Sequence, residues 1–174
     1  MSADTIDRHH IELDAAALRS VFACFPTGVV ALCAAESTPD GLLKAHGMIV
    51  SSFTSVSIQP PLVSVYILEK STTWAELRKA GGIGVSVLSE EHSVVARQMA
   101  VKVANRFAGI DWRVRPSGAI LLDGAAATFE CSIELEQPVG DHVLVVLRVH
   151  DIQEDRTIAP LVFHHSRFTK LPSH

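Results

Sequence analysis

Cysteine is scarce in this chain, and its three copies, Cys24, Cys33 and Cys131, fall at none of the spacings used by zinc or redox motifs. An odd count without a paired pattern excludes a disulfide framework. The apolar neighbours of each make all three read as buried small hydrophobes. Charge is thin as well: 15 Lys and Arg stand against 19 Asp and Glu, for a net charge of −4. No basic run of five or more occurs, which argues against nucleic acid as the main partner. No apolar run approaches the ~18 residues that a membrane helix needs. The polar opening from Met1 to His10 has neither the basic start nor the apolar stretch of a signal peptide. These absences lead to the expectation of a cytoplasmic protein that engages no membrane. A dinucleotide fingerprint is missing too. The one glycine cluster, Gly81-Gly82-Ile83-Gly84, lacks the third glycine and precedes a strand where the fingerprint must open a helix, so a doubly wound nucleotide fold is disfavoured.

What is present is hydrocarbon. Of 174 residues 48% are hydrophobic and only 20% charged, an apolar balance that a buried subunit interface would absorb. The length fits one domain, read as residues 13–174 behind a flexible segment 1–12. Leu18, Val21, Phe22 and Phe25 repeat at helical spacing behind Asp14 as N-cap, predicting an amphipathic helix over 13–25. Val29 to Ala35 reads as a buried strand, Ser37 to Gly41 as a turn, and 46–58 as a strand. Gln59-Pro60-Pro61 then interrupts the ladder before the apolar strand Leu62 to Leu68. A short helix follows, with Thr73 and Glu76 at capping-box spacing and Gly81-Gly82 as a left-handed exit. After the strand Ile83 to Val87, a helix opens behind Ser89 with Val95 and Met99 as its inner stripe. Residues 102–118 carry no period and read as a long loop with a possible lid role. Ala127 to Glu136 alternates apolar and polar residues, predicting one wet face and one core face. Pro138 to Asp141 is a turn, His142 to Val149 returns as the second arm of an antiparallel hairpin, and short closing strands occupy 161–164 and 166–169. About eight strands and two or three short flanking helices, without β-α-β alternation, predict a mainly β fold, an antiparallel sheet closed into a barrel.

Three places could carry chemistry. Ser51, Ser52, Thr54, Ser55 and Ser57 put five hydroxyls into seven residues at a strand end. Hydroxyls and amides can hold a phosphate without fixed charge, and Met48, Val50 and Phe53 can wall a flat ring; an edge strand facing water is the plainer alternative. His142 follows Gly140-Asp141 at the start of a strand, as a group aimed from a turn into a cleft or as an ordinary surface histidine. Arg106 beside Phe107 could serve phosphate and ring stacking, or simply anchor its loop. His164-His165 lacks a third metal ligand at any recognisable spacing, and no metal is expected.

Seven short strings in order resemble the flavin reductase family, the small split-barrel reductase components of two-component flavin-dependent monooxygenases. They are Phe25-Pro26-Thr27-Gly28-Val29; His46-Gly47-Met48 running into Val50 to Ser57; Pro60-Pro61-Leu62-Val63; Gly82 to Ser89; Arg106-Phe107-Ala108-Gly109; Leu122-Asp123-Gly124; and Gly140-Asp141-His142. The resemblance implies an antiparallel Greek-key split β-barrel that binds flavin and acts as a homodimer. Its implied activity is NAD(P)H:flavin oxidoreductase, reducing FAD or FMN with NADH or NADPH and passing reduced flavin by diffusion to a monooxygenase. It implies flavin contacts at Thr27, Val29, Met48, Val50, Ser51, Ser52, Phe53 and Ser55, closure of the site by Ser86, Ser89, Arg106 and Phe107, and His142 beside the nicotinamide. The chain departs from the family pattern at Ile49, Ser86 and Ser166. Split barrels of this kind also serve as non-catalytic flavin or haem carriers and sensors, because a fold does not settle its chemistry. A pyridoxal-phosphate oxidase is a third alternative, but the chain shows no Arg and Lys cluster suited to that phosphate.

Overall fold

A computed structural model of the chain describes residues 13–37, 41–101, 103 and 105–171; the segment 1–12 and part of the turn after Ser37 lie outside them. Helix α1 spans Ala15–Phe22, and Asp14 caps it as expected, its Oδ1 accepting from the N–H groups of Ala16 and Ala17 at 2.8 and 2.7 Å. The stripe on α1 does not turn inward. None of its residues is buried, and Phe22 and Phe25 are 68% and 74% exposed. Cys24 just beyond it is exposed, against the expectation of a buried side chain, whereas Cys33 and Cys131 are buried.

After the two-residue β1 (Thr27–Gly28) the chain enters β2 (Val30–Ser37) and β3 (Leu43–Val50). The strand expected over 46–58 is two: β3 ends at Val50, and β4 (Thr54–Ser57) pairs elsewhere, with β5 (Leu62–Leu68). Helix α2 (Thr72–Leu77) starts two residues earlier than its capping-box spacing implied, with Ser71 in place of Thr73 as N-cap. Ser71 accepts from the Trp74 N–H at 3.1 Å, while Glu76 pairs with Lys79 instead of reaching back. The helix closes through Arg78 in right-handed conformation, so Gly81-Gly82 is no left-handed exit. Then follow β6 (Ile83–Val87), a 3-10 turn at Glu90–His92, α3 (Ser93–Ala100), β7 (Trp112–Val114) and β8 (Ile120–Leu122). The aperiodic stretch expected over 102–118 thus contains a short strand. The hairpin β9 (Ala127–Val139) and β10 (His142–Glu154) and the closing pair β11 (Val162–His164) and β12 (Arg167–Thr169) complete the chain.

Seven strands form one antiparallel sheet in the order β3-β2-β6-β9-β10-β5-β4. β2 and β5 are separated in it by three strands, yet Val30 and Leu32 share one core with Val63, Val65 and Ile67, which requires the sheet to curl around that core. Trp74 and Leu77 from α2 pack into the same core, and burying a side chain such as Leu77 contributes about 1.5–3 kcal/mol. A second core lies on the other face of β2, where Val29, Ala31 and Cys33 meet Leu88, Met99, Phe107 and Ile120. β2 is therefore buried on both faces, and its sequence is a continuous apolar run for that reason. Gly84 lets β8 cross over β6: a Cβ there would stand 1.9 Å from the Ile120 carbonyl oxygen.

The alternation along β9 is broken once. Val146 faces Leu135 but Leu147 faces Ile133, so Glu134 is an extra residue, a β-bulge. A one-residue slip turns every later side chain to the opposite face. Leu135, expected inside, is 50% exposed, and Glu136, expected on the wet face, turns towards α2 and accepts from the Trp74 indole N–H at 2.9 Å. Thr128, also expected wet, is buried, and Glu130 is half-buried between Arg115 and Ser117.

Candidate active site

The end of β3, the end of β5, the approach to α2, the last turn of α3 and the β9–β10 turn meet around a cavity of about 820 Å³. Each segment arrives for a local reason. β3 ends at Val50, opposite the first residue of β2, and Ser52 then turns to β5: its hydroxyl accepts from the Tyr66 N–H at 2.9 Å and donates to the Tyr66 carbonyl at 3.0 Å. This pins the Ser51–Phe53 link against β5 and occupies the Ser52 hydroxyl, leaving Ser51, which is exposed, as the free one of the pair. Gly140, at φ 64°, makes the tight turn that brings Asp141 and His142 to the cavity mouth.

Of the charged groups that line the cavity, the Asp141–His142 pair and Arg106 are held by hydrogen bonds. His142 Nδ1 lies 2.6 Å from Asp141 Oδ1. The imidazole contact holds the Asp141 carboxyl below its usual range, so Asp141 is ionised near neutral pH and can only accept. His142 must then carry its proton on Nδ1, and Nε2 is left for a ligand. Arg106 is clamped by three backbone and side-chain acceptors: Nε donates to the Val101 carbonyl at 3.0 Å, and Nη1 donates to the Gly47 carbonyl and to Thr73 Oγ1, both at 2.9 Å. Among the described residues Nη2 makes no hydrogen bond, so a fixed guanidinium edge remains for an anion. Met48, Val50 and Met99 supply apolar wall.

Six residues singled out from the sequence line this cavity: Met48, Val50, Ser51, Ser52, Arg106 and His142. The others lie elsewhere in this chain. Val29 and Phe107 belong to the second core, where Phe107 meets Trp112 edge-on at 5.8 Å. Phe53 packs on Phe129 against the first core, and Ser55 sits exposed on β4 opposite Val63. Ser86 is buried and accepts from the Leu122 N–H at 3.0 Å. Ser89 is buried against His92, and Thr27, on β1, holds a buried Oγ1 with no hydrogen-bond partner. The sequence reading missed Tyr66, Thr73, Met99 and Asp141 as cavity residues. The run Ser71-Thr72-Thr73 carries the same hydroxyl signal as Ser51 to Ser57, although the sequence reading uses only Thr73 of it, as a helix cap.

The donor set suits a large planar anion-bearing ligand. The volume lies within the ~300–1,000 Å³ of small-molecule pockets, and an apolar wall with a few converging polar groups is the usual composition of such sites. No helix among the described residues is long and apolar enough to cross a membrane.

Known proteins share this sequence and fold. The family model described as Flavin reductase like domain matches residues 22–172. A flavin reductase of Pseudomonas putida is 36% identical over 146 residues, covering 84% of this chain and 84% of its own length. The reductase subunit HsaB of a flavin-dependent monooxygenase from Rhodococcus jostii is 32% identical over 157 residues, 90% of this chain and 78% of its own. The NADH:FAD oxidoreductase SgcE6 of Streptomyces globisporus, solved in complex with NAD and FAD fragments, superposes with a TM-score of 0.84 at 32% identity, over 93% of this chain and 98% of that one.

Proposed function

The chain belongs to the flavin reductase family, and from that premise we propose that it is an NAD(P)H:flavin oxidoreductase whose active site is the cavity between Ser51, Arg106 and His142. The observation that carries this reading is that Ser51, Arg106 and His142, far apart in the chain, line one cavity of about 820 Å³ together with the apolar Met48, Val50 and Met99. The nicotinamide and flavin supply the electronic chemistry between them, and the protein contributes placement. Ser51 and the backbone N–H groups beside it hold the flavin together with the Arg106 edge. Met48, Val50 and Met99 exclude water from its ring. His142, oriented by Asp141, positions the nicotinamide. Holding two rings in near-attack geometry can contribute up to ~7–11 kcal/mol to lowering the barrier.

The reduced flavin passes by diffusion to a flavin-dependent monooxygenase, a reading supported by the likeness to HsaB. A site whose cations, Arg106 and Lys70, are offset by Glu69 and Asp141 fits a reductase that must release its product. The curled sheet is read as a Greek-key split barrel and residues 13–174 as one domain. We read the exposed face of α1 as a homodimer interface, since nothing among the described residues covers the apolar stripe of Val21, Phe22 and Phe25.

Initial rates of NADH and NADPH consumption, with FAD or FMN added, test the proposal. Turnover that requires both a nicotinamide and a flavin is expected; flavin binding without any nicotinamide consumption would make the protein a carrier and overturn it.

A further inference from the structure

A second cluster of ligating groups lies behind Arg106, outside the cavity described above. In the β2–β3 hairpin Glu36 stands opposite Lys44 and Ala34 opposite His46, which makes Glu36 and His46 diagonal neighbours on one face of the sheet. Helix α2 packs over β3, and its residues Thr73 and Glu76, three apart, lie on one side while Trp74 and Leu77 enter the core. Thr73 receives Arg106, and Glu76 reaches the hairpin. One ligand atom from each of Glu36, His46 and Glu76 lies within 4.8 Å of the other two.

The imidazole is the informative member. The His46 side chain is 12% exposed, and its Nε2 is buried with no hydrogen-bond partner among the described residues. The Glu36 carboxylate is 3.7 Å away, too far for a hydrogen bond. A buried nitrogen left unpaired between two carboxylates is costly, and a cation bound by all three groups removes the cost. Lys79 pairs with Glu76 at 2.8 Å and lies near Glu36, and Lys44 lies near Glu76, but no lysine among the described residues meets the His46 Nε2.

We propose that Glu36, His46 and Glu76 form a binding site for a divalent transition-metal ion of the zinc type. One imidazole and two carboxylates suit Zn²⁺ better than Mg²⁺ or Ca²⁺, which favour all-oxygen sites. The fourth position faces a cavity of about 750 Å³ that His46 and Glu76 help to line, and water completes the tetrahedron there. Zinc bonds of roughly 2.0–2.2 Å require the ligand atoms to draw together to about 3.5 Å, a side-chain adjustment. Glu36, His46 and Glu76 sit at no metal-motif spacing, so only the fold brings them together. An ion there ties the hairpin to α2 next to Gly47 and Thr73, the two acceptors of Arg106 Nη1, and so braces one wall of the neighbouring cavity.

The test is direct binding. Full-length protein stripped by a chelator is dialysed against Zn²⁺, bound metal is counted per chain, and melting is followed with and without zinc. One ion per chain and a zinc-dependent rise in Tm are expected. His46→Gln and Glu76→Gln should each weaken zinc binding at least ~10-fold, since loss of even an outer-shell partner costs 10–100-fold. His164→Gln, away from the cluster, should bind as wild type. Glu36→Gln, on the hairpin rim, gives a third variant should either of the others melt early without zinc. Failure of the wild type to take up zinc, or wild-type affinity in the folded cluster variants, would overturn the proposal.

Discussion

His142 and Asp141 show how a single contact assigns chemistry. A carboxylate held below its ordinary range can only accept, so the short Asp141 contact fixes the imidazole tautomer and leaves Nε2 of this cavity-lining residue for a ligand. His142→Ala should therefore raise the KM for the nicotinamide about tenfold, the equivalent of ~1.4 kcal/mol, with a smaller change in the KM for flavin. Asp141→Asn should reproduce part of that effect, because an amide can donate to Nδ1 and stabilise the wrong tautomer. Steady-state kinetics with each substrate varied in turn checks both, and an unchanged nicotinamide KM in His142→Ala would remove this residue from the site. At this scale the sequence was only partly informative. Ser51, Arg106 and His142 are visible as residue types in suggestive settings, but nothing in the string Val50-Ser51-Ser52-Phe53 says that the second hydroxyl is taken by Tyr66. Nor does the string around Ser86 show that its hydroxyl accepts from the Leu122 backbone.

Close contacts between elements make their own demands. β8 crosses β6 so tightly at Gly84 that a methyl group has no room beside the Ile120 carbonyl. Gly84→Ala should lose about 1–3 kcal/mol or more in urea unfolding, since overpacking that meets backbone cannot be relieved by a rotamer change. A wild-type midpoint would mean that β8 does not lie on β6 as described. Elements with strong local signals were legible: the Asp14 cap, the two-sided apolar run of β2 and the alternation of β6 all follow from residue order. The β3–β4 break and the Glu134 bulge were not: the run from Met48 to Ile58 is rich in strand-forming residues throughout and does not show that its two halves pair with different strands, and the alternation of β9 continues through Glu134, where only the partner strand reveals the slip. α2 began early for a similar reason, as Ser71 and Thr73 are both good caps and packing of Trp74 and Leu77 chose between them.

For the molecule as a whole, the unexplained quantity in the sequence was its excess of hydrocarbon, and the structure locates part of it on α1. If that stripe is the interface of a homodimer, replacing both Phe22 and Phe25 by Asp should give a folded monomer in sedimentation velocity while the wild type sediments as a dimer. A monomeric wild type would contradict the interface. Helical spacing made the stripe legible, but no sequence pattern says whether an apolar face meets its own core or a second copy. The account stands most directly on where the flavin lies. A crystal structure of the protein with flavin and NAD⁺ should show the flavin ring against Met48, Val50 and the Ser51 backbone, with Arg106 at its edge and the nicotinamide beside His142. Flavin density in the neighbouring cavity by Trp112, or anywhere that leaves Ser51 and His142 untouched, would contradict it.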